Sequence, residues 1–258
     1  MTVAAVSMVK DEVDIVAVTV AHMCDQVDYV IVADNNSTDG TRDILAELAK
    51  TLPVTVIDDP DPAYYQSRKM TALAARALGE PFDADWVVPF DADEWWYSPH
   101  GRIADVLERH SSHVATAALY DHVATGADPD LDDPVKRIGW RRRKAAPLPK
   151  IAARCAPDLV IAQGNHDATY DVPADRIDGL LVVRHFPYRS PEQMARKARN
   201  GAEAYAATDL PEDAGAHWRA YHQLMVAHGD EAIHDVFRMW FWTADPTTDP
   251  TLIYDPAP

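Results

Sequence analysis

The chain has 258 residues of ordinary globular composition, 47% hydrophobic and 25% charged, and is long enough to bury a substantial core without disulfides or structural metals. Its formal net charge of −17, from 24 basic and 41 acidic residues, disfavours a protein that grips phosphate backbones over a broad surface. The two cysteines, Cys24 and Cys155, are far apart and form no Cys-x-x-Cys pattern, so the sequence indicates neither a disulfide framework nor a thiolate zinc site.

Short β-branched runs alternate with helical patterns in the first half of the chain. The predicted strands are residues 3–9, 29–33, 54–57 and 86–90, and the predicted helices between them are residues 14–24, 41–50 and 66–78. Strands joined by helices of this length require right-handed crossovers. The pattern therefore predicts an α/β fold, with a mainly parallel central sheet flanked by helices.

The second half of the chain is less regular. Its predicted strands are residues 114–120, 159–162 and 180–184, and its predicted helices are residues 191–207 and 216–239. We expect these strands to complete the same sheet and the last helices to form a helical C-terminal portion.

Polar residues are concentrated directly after the four predicted strands of the first half. These segments are Lys10-Asp11-Glu12, Asp34-Asn35-Asn36-Ser37, Asp58-Asp59 and Asp91-Ala92-Asp93-Glu94. Open parallel sheets bind their ligands outside the carboxyl ends of the strands. The sequence therefore predicts an acidic binding rim at that edge of the sheet.

Two carboxylates, Asp91 and Asp93, leave the end of an apolar strand with one small residue between them. This spacing can place one carboxylate on a divalent cation and the other on a ribose hydroxyl or a metal-bound water. Oxygen ligands beside a diphosphate suit Mg²⁺ or Mn²⁺. The alternative is a solvated acidic turn.

The strand at residues 29–33 ends in Asp34, and a polar turn follows it. Either Asp39 or Thr41 can cap the helix that begins there, and an ordinary turn with a helix cap accounts for residues 37–41. That interpretation leaves Asp34 and Asn35 able to hydrogen-bond a nucleobase.

Four segments of the chain match motifs of one known family, and through them the chain resembles the family 2 glycosyltransferases, enzymes of the GT-A fold. They are Val9-Lys10-Asp11-Glu12, similar to the Lys-Asn-Glu turn after the first strand; Asp34 to Thr41, similar to the Asp-x-x-Ser-x-Asp-Gly-Thr turn; Asp91-Ala92-Asp93, the metal-binding Asp-x-Asp; and His185 to Ser190, where a late histidine completes the metal site. The resemblance implies a metal-dependent, inverting transfer of a sugar from a nucleotide-diphosphate sugar, a UDP-sugar, to a hydroxyl acceptor.

The resemblance also implies roles for individual residues. Asp34 and Asn35 face the base, and Asp91 faces the ribose or the metal. Asp93 binds the metal, which is Mn²⁺ or Mg²⁺, and His185 contacts the metal or the diphosphate. The other residues on the side of the sugar donor are Lys10, Glu12 and Arg68. Many relatives have a second aspartate where this chain has Asn35, although an amide oxygen can still accept the uracil N–H. Arg68 at the start of the third helix can stabilise the diphosphate, or it can lie on a solvated helix face, as can Lys69.

An inverting transfer requires a general base that deprotonates the acceptor hydroxyl. Asp167, His166 and Glu94 are the candidates, in that order. The first two follow a predicted strand in the segment Gly-Asn-His-Asp, which can also be an ordinary polar turn.

A basic cluster surrounds Trp140, with Lys136, Arg137, Arg141, Arg142, Arg143 and Lys144 as its members. It can bind a phosphorylated or nucleic-acid acceptor, or it can be a mobile, solvated loop. Trp95, Trp96 and Tyr97 either shape a platform for a sugar or are buried in the core.

Two other functions are compatible with the same rim. A nucleotidyltransferase shares the acidic metal site, but Ser7-Met8-Val9-Lys10 lacks the glycine-rich loop usual after its first strand. A non-catalytic nucleotide- or carbohydrate-binding protein would need neither metal nor base. The acceptor is not identified: a polysaccharide, a protein, a lipid, a small molecule and a modified nucleic-acid base all fit these motifs.

The domain organisation follows from this resemblance: residues 1–110 bind the nucleotide sugar, residues 111–210 build the acceptor side of the same domain, and residues 211–258 are a helical extension. The apolar run after Met1 is broken at Lys10, far below the length needed to span a bilayer. We therefore expect a soluble, cytoplasmic protein without a signal peptide or a membrane span.

Overall fold

The computed structural model describes residues 1–211 and 213–258. These residues form two compact units. The first unit comprises Met1–Asp59, Tyr65–Tyr120 and Ala145–His185, and the second comprises Pro60–Tyr64, Asp121–Lys144 and Phe186–Pro258. The functional division at residues 110 and 210 stays a prediction.

The first unit contains a large sheet and four helices. Its strands are β1 (Val3–Val9), β2 (Tyr29–Asp34), β3 (Val54–Asp58), β4 (Trp86–Pro89), β5 (Glu94–Tyr97), β6 (Val114–Asp121), β9 (Lys150–Arg154), β10 (Val160–Ile161), β11 (Ala168–Thr169) and β12 (Arg176–His185). Its helices are α1 (Val16–Gln26), α2 (Thr41–Leu48), α3 (Gln66–Leu78) and α4 (Ile103–Glu108).

The eight-stranded sheet has the order β3-β2-β1-β4-β9-β6-β12-β5. Strands β3, β2, β1 and β4 are parallel, whereas β9 runs antiparallel to β4 and β6, and β5 antiparallel to β12. Asp34 pairs with Val9 on one side and with Asp58 on the other, so the carboxyl ends of these three strands lie at one edge. The predicted α/β fold is confirmed, and the polar segments lie at the predicted edge. The expectation that the strand at residues 159–162 completes this sheet is wrong, because β10 pairs with β11 in a separate two-stranded sheet.

The β1 strand shows why the centre of the sheet is apolar on both faces. Val3 and Ala5 belong to one core cluster with Trp86 and Trp96, and alternate residues Ala4 and Val6 belong to a second cluster, against α3. Successive side chains of a strand point to opposite faces. A continuous apolar run therefore forms a parallel strand that is covered on both sides.

The second unit contains the C-terminal helices and short strand pairs. Its elements are β7 (Ala124–Thr125), α5 (Pro134–Arg137), β8 (Trp140–Arg142), α6 (Pro191–Ala206), α7 (Ala216–His228), α8 (Glu231–Trp240), β13 (Trp242–Thr243) and β14 (Leu252–Tyr254). The predicted single helix over residues 216–239 is wrong: α7 ends before Gly229, whose φ of 79° is left-handed and interrupts the helix. No helix among the described residues has both the length and the apolar character needed to cross a membrane.

Part of the basic cluster lies in regular structure, with Lys136 and Arg137 in α5 and Arg141 and Arg142 in β8. Strand β8 pairs antiparallel with β14. The guanidinium of Arg141 donates to the Asp255 carboxylate at 2.8 and 2.6 Å, and that of Arg143 donates to the Pro250 carbonyl at 3.0 Å. The C-terminal segment therefore binds two arginines of the cluster, which are then less available to an acceptor substrate.

Candidate active site

The turns that follow β1 and β2 form one hydrogen-bonded structure. The amide of Asp11 donates to the Ser37 hydroxyl at 3.0 Å, and the Asp11 carboxylate accepts from the amide of Thr38 at 2.7 Å. The amide of Glu12 donates to the Thr41 hydroxyl at 2.8 Å. Two motifs that lie apart in the sequence thus fix each other at the carboxyl edge of the sheet.

The N-cap residue of α2 is Gly40 rather than either predicted residue, and Asp39, directly before it, contacts the helix start through its carboxylate. Its Oδ1 accepts from the Thr41 amide at 3.0 Å and its Oδ2 accepts from the Val13 amide at 3.1 Å. Gly40 precedes the helix with a φ of 103°, a conformation that glycine adopts without strain. The Thr41 hydroxyl instead accepts a hydrogen bond from the Glu12 amide in the neighbouring turn.

Lys10 and Arg68, the basic residues predicted to bind the sugar donor, make different contacts. The ammonium of Lys10 donates to the backbone carbonyls of Asn35 and Asn36 at 3.0 and 3.3 Å. The guanidinium of Arg68 lies over the Tyr65 ring, 4.3 Å from its centroid, as in a cation–π contact. Lys10 therefore stabilises the turn that carries the predicted base-binding residues.

Asp34 is 6% exposed, and one of its carboxylate oxygens has unused hydrogen-bonding capacity. Oδ2 accepts a long hydrogen bond of 3.3 Å from the Ser37 amide, but within the described residues none donates to Oδ1. A buried acceptor without a donor costs about 1–3 kcal/mol. This oxygen can therefore accept a further hydrogen bond at the carboxyl edge of the sheet.

Asn35 faces Asp59, the residue that follows β3. Its amide nitrogen donates to the Asp59 carboxylate at 2.9 Å and to the Asp59 carbonyl at 3.1 Å, and Lys69 forms an ion pair with the same carboxylate at 2.6 Å. These bonds turn the amide nitrogen of Asn35 towards Asp59. Lys69, the less favoured neighbour of Arg68 in the sequence, thus anchors the end of β3.

Asp91 is held by three side-chain donors from three parts of the first unit. Its Oδ2 contacts the ammonium of Lys150, on β9, at 2.7 Å. Its Oδ1 accepts from Gln66, on α3, at 3.0 Å and from Asn165 at 3.2 Å. The first carboxylate of the Asp-x-Asp is therefore fixed in place by the protein itself.

Lys150 is 4% exposed and also forms an ion pair with Glu94 at 2.7 Å. Burial alone would lower the pKa of the Lys150 ammonium, but the carboxylates of Asp91 and Glu94 outweigh burial and raise it. The Glu94 side chain is fully enclosed, and its other oxygen accepts from the Asp91 amide and the Trp96 indole. Burial raises the pKa of Glu94, while the Lys150 ammonium opposes that change.

Asp93 and His185 meet although 92 positions of sequence separate them. Strand β12 pairs with β5 so that His185 lies opposite Glu94, and His185 Nε2 is 3.6 Å from Asp93 Oδ1. A common ion at Asp93 and His185 predicts that the strand ending at Arg184 lies beside the 86–90 strand. This prediction is wrong, because β9 and β6 separate β12 from β4. The antiparallel neighbour of β12, strand β5, creates the contact instead.

The segment 163–167 carries two of the predicted general bases. His166 Nδ1 donates to the Pro149 carbonyl at 2.8 Å, which leaves Nε2 as the acceptor of the neutral ring. Burial lowers the pKa of His166, so the neutral form prevails at neutral pH. Asp167 instead forms an ion pair with Arg176 at 2.6 Å.

Gly164 allows the His166 ring to lie close to the backbone. Its φ is 76°, and an added Cβ would be 2.5 Å from Cδ2 and 2.8 Å from Nε2 of the His166 ring. A larger residue would therefore be strained in its backbone and would displace the imidazole.

A family model described as glycosyl transferase family 2 matches residues 5–166, well over half of the chain and all the residues from Lys10 to His166 described above. The chain belongs to this family. It is therefore a glycosyltransferase, and its sheet and flanking helices are those of the GT-A fold. No curated protein sequence matches the chain.

The glycosyltransferase is also similar to solved structures at low identity. Crystal structures of S. aureus TarS residues 1–349 match with 13% identity and a TM-score of 0.43, over 93% of this chain and 75% of that chain. TarS 1–349 in complex with UDP matches with 14% identity and a TM-score of 0.42, over 87% and 71% of the two chains. The complex of TarS 1–349 with UDP-GlcNAc matches with 13% identity and a TM-score of 0.42, over 93% and 76%.

The aromatic residues after the Asp-x-Asp of this glycosyltransferase have separate environments. Trp96 is fully buried in the core. Trp95 stacks on the His22 ring with centroids 3.5 Å apart. Tyr97 lies beneath the Arg184 guanidinium, 5.6 Å from its ring centroid.

Three residues that contact Asp91, namely Lys150, Gln66 and Asn165, are not among the site residues predicted from the sequence. The only sequence signal for Lys150 is its position at the start of the apolar run Ile151-Ala152-Ala153. A charge at a buried strand position requires a partner of opposite charge. Gln66 and Asn165 belong to no motif. Only the packing of α3 and of the 163–167 segment brings them to the carboxylate.

Proposed function

We propose that this glycosyltransferase uses a UDP-sugar as donor, requires Mn²⁺ or Mg²⁺, and transfers the sugar with inversion to a hydroxyl acceptor. The observation that carries the proposal is the buried Oδ1 of Asp34, at the carboxyl edge of the sheet. The uracil N3–H is a donor that would satisfy this oxygen. A carboxylate in a buried site makes a stronger bond to such a donor than a neutral acceptor does.

Asp93 and His185 fit a divalent cation as protein ligands. Carboxylate oxygen and imidazole nitrogen are both donors for Mn²⁺, and their separation of 3.6 Å allows one ion to contact both. Within the described residues no group of three His, Cys, Asp or Glu is arranged to hold an ion. Two protein ligands suit an ion whose remaining ligands are phosphate oxygens and water. The ion, when bound, neutralises charge that develops on the leaving diphosphate.

His166 is the general base that the geometry favours. Its Nε2 is the acceptor of a neutral imidazole, because Nδ1 is used by the Pro149 carbonyl. Asp167 shares its carboxylate with Arg176, and Glu94 is enclosed beside Lys150. The acceptor hydroxyl would transfer its proton to Nε2 as it attacks the anomeric carbon in line with the leaving diphosphate.

The donor proposal is tested by thermal unfolding with UDP, GDP and UDP-sugars, with and without Mn²⁺, and by release of UDP from the sugars that bind. A ligand at 100 times its Kd stabilises the native state by about 2.7 kcal/mol and raises Tm. We expect protection by UDP that is stronger with Mn²⁺, and weak protection by GDP. Equal protection by UDP and GDP contradicts the uridine assignment.

Asp34→Asn tests the observation itself, with Asp58→Asn as its matched control. Asp58 ends the neighbouring strand β3, but its side chain is 81% exposed and pairs with Arg42. We expect Asp34→Asn to weaken UDP binding about tenfold or more, the cost of one lost charge-assisted hydrogen bond. Asp58→Asn should bind UDP as the wild type does, and equal behaviour of the two variants would remove Asp34 from the base site.

A further inference from the structure

We propose that Lys150 is a positioning residue of the transfer reaction, which holds Asp91 and the segment 163–166 in one fixed arrangement. The inference rests on the proposed function, because it connects the donor-side carboxylate with the segment that carries the proposed base. In this arrangement Asp93 and His185 bind the divalent cation, and Asp91 orients the sugar donor.

The ammonium of Lys150 makes three polar contacts within the protein, two hydrogen bonds and one ion pair. It contacts Asp91 Oδ2 at 2.7 Å, Glu94 Oε1 at 2.7 Å and the carbonyl of Gly164 at 2.9 Å. A lysine has three N–H donors and no acceptor. A counter-ion for Asp91 and Glu94 needs no contact with the Gly164 backbone, so the hydrogen bond to Gly164 indicates an additional role.

A second side chain makes the same connection from the opposite element. Gln66, at the start of α3, donates to Asp91 Oδ1 at 3.0 Å and accepts from the Gly164 amide at 2.8 Å. Both backbone polar groups of Gly164 are therefore bound to residues that also bind Asp91. Asn165, the next residue, donates directly to Asp91 at 3.2 Å.

These contacts set the position of His166 relative to Asp91. The imidazole follows Asn165 directly and lies against the Cα of Gly164. Its Nδ1 donates to the carbonyl of Pro149, the residue before Lys150. The strand start at 149–150 therefore holds both the proposed base and the donor-side carboxylate, and movement of Lys150 would disturb both.

Asp91 already accepts from Lys150, Gln66 and Asn165, so most of its acceptor capacity is used. A cation at Asp91 would be placed against the Lys150 ammonium. Asp93 is separated from Asp91 by Ala92 and lies 3.6 Å from His185 instead. Loss of Lys150 should therefore impair the reaction without loss of Mn²⁺ affinity.

The test compares Lys150→Met with the double variant Lys150→Met/Glu94→Gln. The single variant leaves the buried Glu94 and the half-buried Asp91 without their cation and should lower Tm. The double variant removes one buried cation and one buried anion together, so Tm should recover towards the wild-type value. If Lys150 positions Asp91 and the 163–166 segment, kcat of the double variant should stay about 100-fold low, while Mn²⁺ affinity, measured by electron paramagnetic resonance, stays within about threefold of wild type.

Gln66→Leu and Ser67→Ala provide a second, milder test on α3. Gln66→Leu removes one of the two connections between Asp91 and Gly164, and we expect a fall in kcat of about tenfold with Mn²⁺ affinity unchanged. Ser67 donates to the Ile161 carbonyl at 2.6 Å and so joins the same helix to β10 without contact to Asp91. Ser67→Ala should keep the wild-type kcat.

Recovery of kcat together with Tm in the double variant would overturn the inference and leave Lys150 as a counter-ion for Glu94. Loss of Mn²⁺ affinity in that variant would also overturn it, as would a wild-type kcat for Gln66→Leu. Failure of the proposed function gives a different result: the wild-type protein would then neither bind UDP nor release it from any UDP-sugar.

Discussion

Asp93 and His185 illustrate how single residues far apart in sequence become one site. Their contact depends on the register that places His185 opposite Glu94 in the β5–β12 pair. If both bind one cation, removal of either deprives the same ion of a ligand. Residues that act as a unit show non-additive losses.

We therefore expect Asp93→Ala/His185→Ala to lose little more kcat/KM than the worse of the two single variants. Initial rates of UDP release, measured at saturating Mn²⁺, give the three values. Circular dichroism must show that each variant is folded. Losses that multiply would indicate independent roles and would remove His185 from the metal site.

His22 is a second residue whose surroundings have a measurable consequence. It stacks on Trp95, and its Nε2 contacts the Trp96 carbonyl at 2.6 Å. Burial lowers the pKa of His22 below its ordinary value of 6.5, although the hydrogen bond to Trp96 and the charge of Asp25 oppose this. The unfolded chain therefore binds this proton at a higher pH than the folded protein does.

Stability from this histidine is present above pH 6.5 and is lost as the pH falls below it, because protonation favours the unfolded chain. One such group contributes a slope of at most about 1.4 kcal/mol per pH unit. His22→Phe keeps an aromatic ring against Trp95 and should reduce the loss of unfolding free energy between pH 7 and pH 5. Urea titrations across this range measure it, and identical slopes for wild type and variant would contradict the assignment.

At the scale of elements, the β8–β14 pair shows why a basic run need not bind an external anion. Strand β14 brings Asp255 to Arg141, and Arg142 lies 3.7 Å from Asp249. The pair of Arg141 with Asp255 is the more buried of the two, with side-chain exposures of 14% and 34%. The last residues of the chain thus act as a structural partner of the basic cluster.

Arg141→Ala should destabilise the protein by about 1.5–3 kcal/mol, because two charge-assisted hydrogen bonds are lost and Asp255 keeps its charge. Arg142→Ala is the matched control on the same strand, and its longer, more exposed pair should contribute less than about 1 kcal/mol. Urea unfolding at neutral pH gives both values. Equal effects would show that the β8–β14 pair does not depend on the Arg141 contact.

At the scale of the whole molecule, the alternation of strands and helices in the first half was sufficient to predict the fold. Continuous apolar runs joined by helices bury both faces as a parallel sheet, and the polar segments then lie together at its carboxyl edge. The predicted strands β1 to β4 and helices α1 to α3 are confirmed, with ends that differ by a few residues. The second half was harder to predict, because the partners of its antiparallel strands lie far apart in sequence.

The sequence by itself determined the family, the parallel sheet and the edge at which Asp34, Asp91 and Asp93 are placed, because these depend on local patterns and short motifs. Only the tertiary structure decided which groups Asp91 contacts, since Lys150 and Gln66 reach it from β9 and α3. It also decided that His185 approaches Asp93 through β5 rather than through β4. Pairing between distant strands depends on the packing of the whole sheet, and a local pattern does not specify it.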